Sequence, residues 1–163
     1  MGTTRKKYLS PIQSLDFYLD NFQALCKKLK LENDLLELKD VLHRDLAPSV
    51  IEILQSTYYE ALVVTDLDKT IIWANNGFHE MTGYSKHFAL GKRPTFLQGK
   101  KTSQETKTEI RRLLKQQKRF SKALVNYRKN GEEYICQIDV IPLFNSNKVV
   151  THFLAMEREQ VAA

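Results

Sequence analysis

The order of its secondary-structure patterns predicts an α+β fold: one five-stranded antiparallel sheet, helices on one face and an N-terminal helical extension. Two strand-like runs come first, short helical pieces follow, and three more strand-like runs come last. Strands and helices segregated in this way favour an antiparallel sheet over a parallel one with alternating crossovers. Helical periodicity before the first strand predicts the extension.

The extension is periodic over roughly the first 45 residues. Apolar residues recur at steps of three and four between Leu15 and Leu29, and Ser14 is suited to cap this helix at its start. A second amphipathic stretch begins at Asn33. We therefore expect two amphipathic helical stretches before the main domain.

Pro48 marks the boundary between the extension and the main domain. Proline either opens a helix at its first turn or kinks the chain, so a short third helix over 49–58 is one expectation. We divide the chain into a helical extension at 1–48, a main domain at 49–160 and a tail at 161–163.

The main domain begins with a predicted hairpin. Two β-rich runs at 61–66 and 70–74 are separated by the turn-forming residues 67–69. Strand character is then lost over 75–90, where glycines interrupt short helical turns.

A longer helix is expected after these turns. The segment from Thr102 to Glu105 fits a capping box, in which the hydroxyl and the carboxylate each satisfy a free backbone N–H group. We expect this helix to run to about Gln117.

Three strand-like runs complete the sheet. They lie at 123–128, 134–143 and 149–156, and turn-forming residues at 129–131 and 145–147 join them. The second run places Cys136 and Ile138 on one face and Ile135 and Ile141 on the other. A sheet with apolar side chains on both faces needs a cover on each. The N-terminal helices are the expected cover, from the same chain or from a dimer partner.

Composition excludes several classes of protein. The 163 residues, 42% hydrophobic and 27% charged, are sufficient for one folded domain plus an extension. Cys26 and Cys136 are isolated, so zinc fingers, CxxC redox motifs and secreted disulfide scaffolds are excluded. No apolar run is long enough to span a bilayer, and no secretory signal opens the chain. A reducing cytoplasmic location without membrane contact is expected.

Catalytic and metal-binding motifs are missing from the sequence. Ser, His and Asp residues occur, but no nucleophile elbow, metal pair or phosphate loop organises them. The histidines are scattered, so neither haem nor another metal is indicated. We therefore expect no enzyme activity and no metal site.

Positive charge is concentrated in the segment 91–129. It holds 13 basic and two acidic residues, whereas the rest of the chain carries a net charge of −5. Such a segment attracts anions, including nucleic acid, but it also fits a solvated helix face around Ile110 and Leu113. We favour the solvated face, because no nucleic-acid motif accompanies the charge.

Several motifs together resemble a known family. Residues 73–78 (WANNGF) and 81–85 (MTGYS) resemble the opening of a PAS domain, an α+β sensor module that holds a small ligand, or nothing, between sheet and helices. Residues 91–99 (GKRPTFLQG), 126–131 (NYRKNG) and 151–153 (THF) are similar to the LOV branch, the flavin-binding blue-light receptors.

The resemblance also shows where the chain departs from the LOV pattern. The position of the photoreactive cysteine, which adds covalently to the flavin, is Pro94, so the family's adduct reaction is not expected. Arg93 stands at a flavin-contacting asparagine and Thr95 at a phosphate-contacting arginine. Cys136 replaces the second ring-contacting asparagine, and Glu157 replaces the signalling glutamine of the last strand.

Three family contacts remain, at Gln98, at Arg111 for the flavin phosphate and at Asn126 for the ring edge. Each buried polar group left without a partner costs about 1–3 kcal/mol. The resemblance therefore implies that flavin mononucleotide binds weakly or not at all. The sequence leaves the identity of any cofactor undetermined.

Two of the replacements have alternative interpretations. Glu157 is either a ligand anchor or proton-sensitive switch, or a strand-end acid near solvent that pairs with Arg93; the second is slightly preferred. Cys136 is either a displaced photoreactive thiol or a small core residue, and the core is favoured.

The leading hypothesis is a stand-alone PAS sensor and signalling module without cysteinyl-flavin photochemistry. A ligand or protein partner would shift how the N-terminal helices pack on the sheet, and a homodimer would form through the outer sheet face and those helices. One alternative is a flavin-binding blue-light receptor that signals by photoreduction. Another is an anion or nucleic-acid binder that uses the segment 91–129.

Overall fold

The computed structural model describes the backbone of residues 11–160 and the side chains from Leu15 onward. The predicted tail at 161–163 and the cap by the Ser14 side chain lie outside this described part. Helices are α1 Pro11–Leu42, α2 Pro48–Ser56, α3 Asn76–Thr82, α4 Lys86–Ala89 and α5 Gln104–Lys115, with a 3₁₀ helix at Pro94–Leu97. Strands are β1 Ala61–Thr65, β2 Ile71–Ala74, β3 Phe120–Tyr127, β4 Glu133–Phe144 and β5 Val150–Glu159.

The strands form one five-stranded sheet in the order β2-β1-β5-β4-β3, and every neighbouring pair is antiparallel. This confirms the predicted fold class. β3 and β5 are each longer than the sequence pattern indicated, because backbone pairing continues from Phe120 opposite Val140 to Glu159 opposite Cys136. Arg158 and Glu159 at the end of β5 keep their backbone pairing with Gln137 and Cys136 of β4.

α1 is a single helix, where the sequence pattern suggested two stretches. No glycine or proline interrupts residues 12–42, so nothing in the backbone ends the helix between the two apolar patterns. Its second half packs on the outer face of the sheet through Leu31, Leu38 and Leu42, together with α2. Opposite them lie side chains from four strands, among them Leu62, Trp73, Ile141, Leu154 and Met156.

The cover on the outer face therefore comes from this chain itself. Each fully buried leucine contributes about 1.5–3 kcal/mol relative to an exposed one, so the docked half of α1 belongs to the folded core. A second copy of the chain cannot use the part of the outer face that these helices occupy. Any homodimer of this conformation must use another surface.

The inner face of the sheet is covered by α3, α4 and the 3₁₀ helix. Their side chains Phe78, Met81, Ala89 and Leu97 form a second core with residues of β1–β4. Helices thus lie on both faces of the sheet. The short helices α3 and α4 and the 3₁₀ helix cover the inner face, and the N-terminal helices cover the outer face.

The start of α5 differs from the predicted capping box. Ser103 is the N-cap, and its hydroxyl accepts a hydrogen bond from the backbone N–H of Thr106. Thr102 instead donates its hydroxyl to the carbonyl of Val125 at 2.6 Å and accepts from the N–H of Gly99 at 2.9 Å. Its hydroxyl thus ties the loop to β3, which is why the cap falls one residue later.

Candidate functional site

The six residues singled out from the sequence separate into two groups. Asn126 on β3, Cys136 on β4 and Glu157 on β5 are buried on the inner face of the sheet. Arg93 and Arg111 are exposed, and Gln98 is half-buried at the end of the 3₁₀ helix. The structure therefore brings three of the six residues together.

Strand alternation explains why these three side chains face inward. Leu124 pairs with Cys136 and Asn126 with Tyr134, which places all four on the face opposite the N-terminal helices. Glu157 lies between β1 and β4, where it pairs with Ala61 on one side and Ile138 on the other. We call Asn126, Tyr134, Cys136 and Glu157 the inner polar cluster.

Glu157 is the carboxylic acid of the cluster. Its side chain is buried, with 6% of the residue exposed, and burial raises its pKa from 4.5 to about 7. Its polar contact is the thiol of Cys136, which donates a long hydrogen bond of 4.0 Å to Oε2. Glu157 is buried and forms no ion pair with Arg93 in the described residues, so the interpretation of Glu157 as a strand-end acid near solvent that pairs with Arg93 is wrong.

Cys136 is fully buried. Burial raises the pKa of its thiol well above the usual value, and the nearby charge of Glu157 raises it further. A thiol in these surroundings stays protonated at neutral pH, so it acts as a weak donor rather than as a nucleophile.

The Oδ1 atom of Asn126 and the hydroxyl of Tyr134 form no hydrogen bond of good geometry within the described residues. The two side chains are cross-strand partners, and interaction with the Asn126 side chain partly opposes the rise in the pKa of Tyr134. Burial also raises the pKa of Tyr134, so its hydroxyl stays protonated and able to donate. Unpaired buried groups cost about 1–3 kcal/mol each, and native structures rarely keep them without a reason. Sequence reasoning counted Tyr134 as apolar and missed its hydroxyl.

Arg128 closes the cluster at the end of β3 and was also missed. Its guanidinium lies 4.4 Å from the centre of the Tyr134 ring and forms an ion pair of 2.6 Å with Glu159. It also donates to the backbone carbonyl of Met81, which connects the sheet to α3. Since the 126–131 motif contains this arginine, the signal was present in the sequence but was assigned to the charged surface.

The flavin-binding pattern can be tested against these residues. The pyrimidine edge of a flavin presents two carbonyl acceptors and one N–H donor. The cluster offers a carboxylate that burial disfavours in its charged form, one amide, one phenol and one thiol. An ionised Glu157 would repel a carbonyl oxygen, and exposed Arg111 makes no contact with the cluster. These residues fit a flavin ring edge poorly.

A second polar group fixes α1 to the domain. The carboxylate of Glu37 accepts hydrogen bonds from the indole N–H of Trp73 at 2.9 Å and from Lys86 at 3.3 Å. Burial opposes the charge of Glu37, but hydrogen bonds from Trp73 and Asn33 and the charge of Lys86 outweigh it and lower its pKa.

Asp34, one turn before Glu37, accepts a hydrogen bond of 2.8 Å from the Asn75 amide. Burial raises its pKa despite that bond. Asn75 also caps α3 and accepts a bond from the backbone N–H of Leu62, so α1 is bound to the residue that organises the β2–α3 turn. The sequence patterns did not single out Asp34 or Glu37.

Beside these contacts, a groove of about 1020 Å³ lies between α1 and the ends of the sheet. Its walls include Lys30 from α1, Tyr59 from the linker before β1, and Glu80 from α3. The inner polar cluster is not part of its lining, apart from the neighbouring Arg128.

The basic segment is partly neutralised in the structure. Lys101 pairs with Glu133 at 2.8 Å and Lys122 with Glu109 at 2.8 Å. Arg119 forms a pair of 2.5 Å with Asp139. These pairs favour the solvated face that the sequence suggested over an open anion site.

In residues 11–160, no helix has the length and apolar character needed to cross a bilayer, and no group of His, Cys, Asp or Glu side chains could hold a metal ion.

Comparison with known proteins gives consistent matches. The sequence profile of the PAS domain family matches residues 60–160. The nitrogen fixation regulatory protein of Klebsiella oxytoca is 34% identical over 99 residues, 61% of this chain and 20% of that protein. A blue-light photoreceptor of Listeria innocua is 31% identical over 101 residues, 60% of this chain and 40% of that protein.

Among solved structures, the light-state structure of the blue-light photoreceptor Aureochrome1 LOV superposes with a TM-score of 0.61 and 28% identity. The match covers 63% of this chain and 83% of that one. The chain spans 20% and 40% of the length of these two curated relatives, so the similarity concerns a part of each.

Proposed function

The chain belongs to the PAS domain family, on its LOV-like branch, and from this we propose that it is a sensor and signalling module that acts through protein–protein contacts. The proposal includes a ligand- or proton-dependent inner face, no cysteinyl-flavin adduct and no catalytic activity of its own. Residues 1–48 form the responsive extension and 49–160 the sensor. Two free cysteines fit a reducing compartment such as the cytoplasm.

The observation that carries the proposal is the inner polar cluster. It places a buried carboxylate, a phenol and an amide oxygen on the face where PAS domains hold ligands, and two of these groups lack partners. Such a set is suited to a small molecule that donates hydrogen bonds to Glu157 and Asn126 and accepts one from Tyr134.

A route from this face to the extension runs through β5. Glu157 faces inward, whereas its neighbours Met156 and Leu154 face outward and pack in the same cluster as Leu38 and Leu42 of α1. A change of charge or ligand at Glu157 would shift β5 and so alter how firmly α1 is docked. Partner proteins would then bind the extension in one of these two states, docked on the sheet or released from it.

Residue chemistry supports the proposed absence of an adduct. Pro94 opens the 3₁₀ helix at the position where the LOV motif has its cysteine, and proline has no nucleophile. Cys136 is buried with a raised pKa, which disfavours the thiolate.

An absorption spectrum and native mass spectrometry of freshly purified protein, in the dark and after blue light with added flavin mononucleotide, test this part. We expect no light-dependent covalent mass increase. A reversible increase that disappears in Cys136→Ser would contradict the proposal.

A second candidate is a flavin-binding blue-light receptor that forms no adduct. Similarity to the blue-light photoreceptor of Listeria innocua and to the Aureochrome1 LOV structure favours it. A yellow protein that retains flavin through gel filtration would support this candidate. A colourless protein that does not bind added flavin would exclude this second candidate and would not contradict the first proposal.

A further inference from the structure

The groove of about 1020 Å³ beside α1 is built from segments that are distant in sequence. α1 forms one side, the linker before β1 contributes Tyr58 and Tyr59, and the start of α3 forms another wall. Gly77 of α3 lies so close to the linker that a Cβ atom on it would clash with the backbone carbonyl of Glu60. The linker and α3 are therefore tightly packed, and the groove is preformed, as small-molecule sites usually are.

The charged side chains that line the groove are mostly paired with one another. The lining holds four acidic and three basic residues. Arg128 forms an ion pair of 2.6 Å with Glu159, and the ammonium of Lys30 lies 3.9 Å from the carboxylate of Glu80. Each carboxylate oxygen of Glu60 accepts a hydrogen bond, one of them from the backbone N–H of Glu159 at 2.9 Å. These contacts account for three of the four acids.

The fourth acid, Asp34 of α1, is buried with only 7% of the residue exposed. The Asn75 amide donates to its Oδ2 atom at 2.8 Å, but within the described residues Asp34 forms no ion pair and its Oδ1 atom accepts no hydrogen bond. Lys30, one turn earlier on α1, is directed to Glu80 instead. Lys27 is two turns away, about 10 Å along the helix axis. A buried carboxylate without a cation is costly, so Oδ1 is an available acceptor for a positively charged group.

The phenol of Tyr59 lies near this carboxylate. Burial and the charge of Asp34 raise the pKa of Tyr59 to about 12, so its hydroxyl stays protonated. Tyr59 is half-buried and Tyr58 beside it is exposed, and Leu29 and Met81 add apolar surface to the same groove. An acceptor for a cationic group is thus placed next to surface that fits a flat, apolar body.

We propose that the groove binds a small organic cation, whose amine, amidine or guanidine group is held by Asp34 and whose flat body lies against Tyr59. Hydrogen bonds from a charged donor to a carboxylate are roughly twice as strong as neutral ones. A neutral molecule of the same shape should therefore bind more weakly. The inference goes beyond the proposed function, because it adds a ligand site outside the inner face of the sheet.

A ligand at this place would connect α1 to the rest of the domain. Asp34 belongs to α1, whereas Asn75 precedes α3 and Tyr59 precedes β1. A cation that contacts both Asp34 and Tyr59 makes these contacts together only while α1 is docked. Binding therefore favours the docked state of the extension.

An NMR titration of the isotope-labelled full chain with benzamidine, and separately with benzamide, tests the site at constant ionic strength. The two probes share the phenyl ring and nearly the same shape, and only benzamidine is charged at neutral pH. We expect benzamidine to shift amides of 26–34, 58–60 and 75–81 to saturation, and benzamide to bind at least about tenfold more weakly. Equal affinities for the two probes, or shifts confined to residues outside the groove, would overturn the inference.

Two substitutions on α1 locate the anchor. Asp34→Asn removes the charge but keeps an acceptor for the Asn75 amide, and it should weaken benzamidine binding about 10- to 100-fold. Glu32→Gln removes the same charge from an exposed side chain outside the groove and should leave the affinity unchanged. Trp73 fluorescence and circular dichroism check that both variants are folded. A folded Asp34→Asn variant that binds benzamidine like the wild type would contradict the site.

Hydrogen exchange tests the connection to the extension. Saturating benzamidine should slow exchange at amides 31–42 of the wild type, and unchanged exchange there would contradict the link between the groove and α1 docking. None of these measurements involves Glu157, so their failure leaves the proposal for the inner polar cluster intact.

Discussion

Glu157→Gln is expected to change the pH dependence of stability more than any other single substitution in the inner polar cluster. Burial raises the pKa of Glu157 from 4.5 to about 7. In the unfolded chain the carboxyl therefore ionises first, and the folded state holds its proton up to a higher pH. The carboxyl costs no stability below about pH 4.5, and its destabilising effect grows until about pH 7.

The size of this effect follows from the pKa difference. Each unit corresponds to about 1.4 kcal/mol, so the wild type should lose roughly 3 kcal/mol relative to the glutamine variant between pH 4.5 and pH 7. Asp34 also has a raised pKa, but its contribution is present in both proteins and cancels in the difference.

Urea unfolding followed by Trp73 fluorescence, at intervals from pH 4.5 to pH 8, measures that difference. The exposed Glu52 on α2 provides a matched control, because Glu52→Gln makes the same substitution at a position in contact with solvent. A difference between wild type and Glu157→Gln that stays constant with pH would refute the assignment of a buried, uncompensated carboxyl.

Three further substitutions test the contacts between the extension, the sheet and α3. Leu38→Ala should lower the free energy of unfolding by about 2–5 kcal/mol because it leaves a cavity under α1, whereas the exposed Leu67→Ala should change it little; urea titration measures both. Glu37→Ala removes the hydrogen-bond acceptor of the Trp73 indole and should shift the emission of Trp73. The free energy of unfolding should fall by roughly 1 kcal/mol, because the site is partly exposed. An unchanged emission spectrum would contradict this contact. Arg128→Ala should cost about 2 kcal/mol and weaken protection of α3 in hydrogen exchange, since it breaks the bonds to Glu159 and Met81.

Local patterns in the sequence were sufficient to predict the sheet. Alternation in β4 and turn-forming residues at 129–131 and 145–147 fix the three-stranded part, and these signals depend only on neighbouring residues. The ends of β3 and β5 could not be predicted as well, because they depend on pairing with a strand distant in sequence.

Tertiary contacts explain what the sequence did not show. The alternation of side chains along β5 predicts that Glu157 faces inward. The burial of Glu157 depends on the neighbouring strands β1 and β4, which are distant in sequence. Thr102 has the composition of a cap, yet its hydroxyl bonds to β3. Asp34 and Glu37 look like surface acids of an amphipathic helix, and only docking on Asn75 and Trp73 gives them a role.

Hydrogen exchange of α1 most directly tests the coupling between the inner face and the extension. Wild type and Glu157→Gln are compared at the same pH, first at pH 5 and then at pH 8. We expect equal protection of amides 31–42 at pH 5, and weaker protection in the wild type at pH 8, where Glu157 is ionised. If amides of β4 and β5 respond at pH 8 while those of 31–42 are identical in the two proteins, the inner face does not control α1 and the proposed mechanism is contradicted.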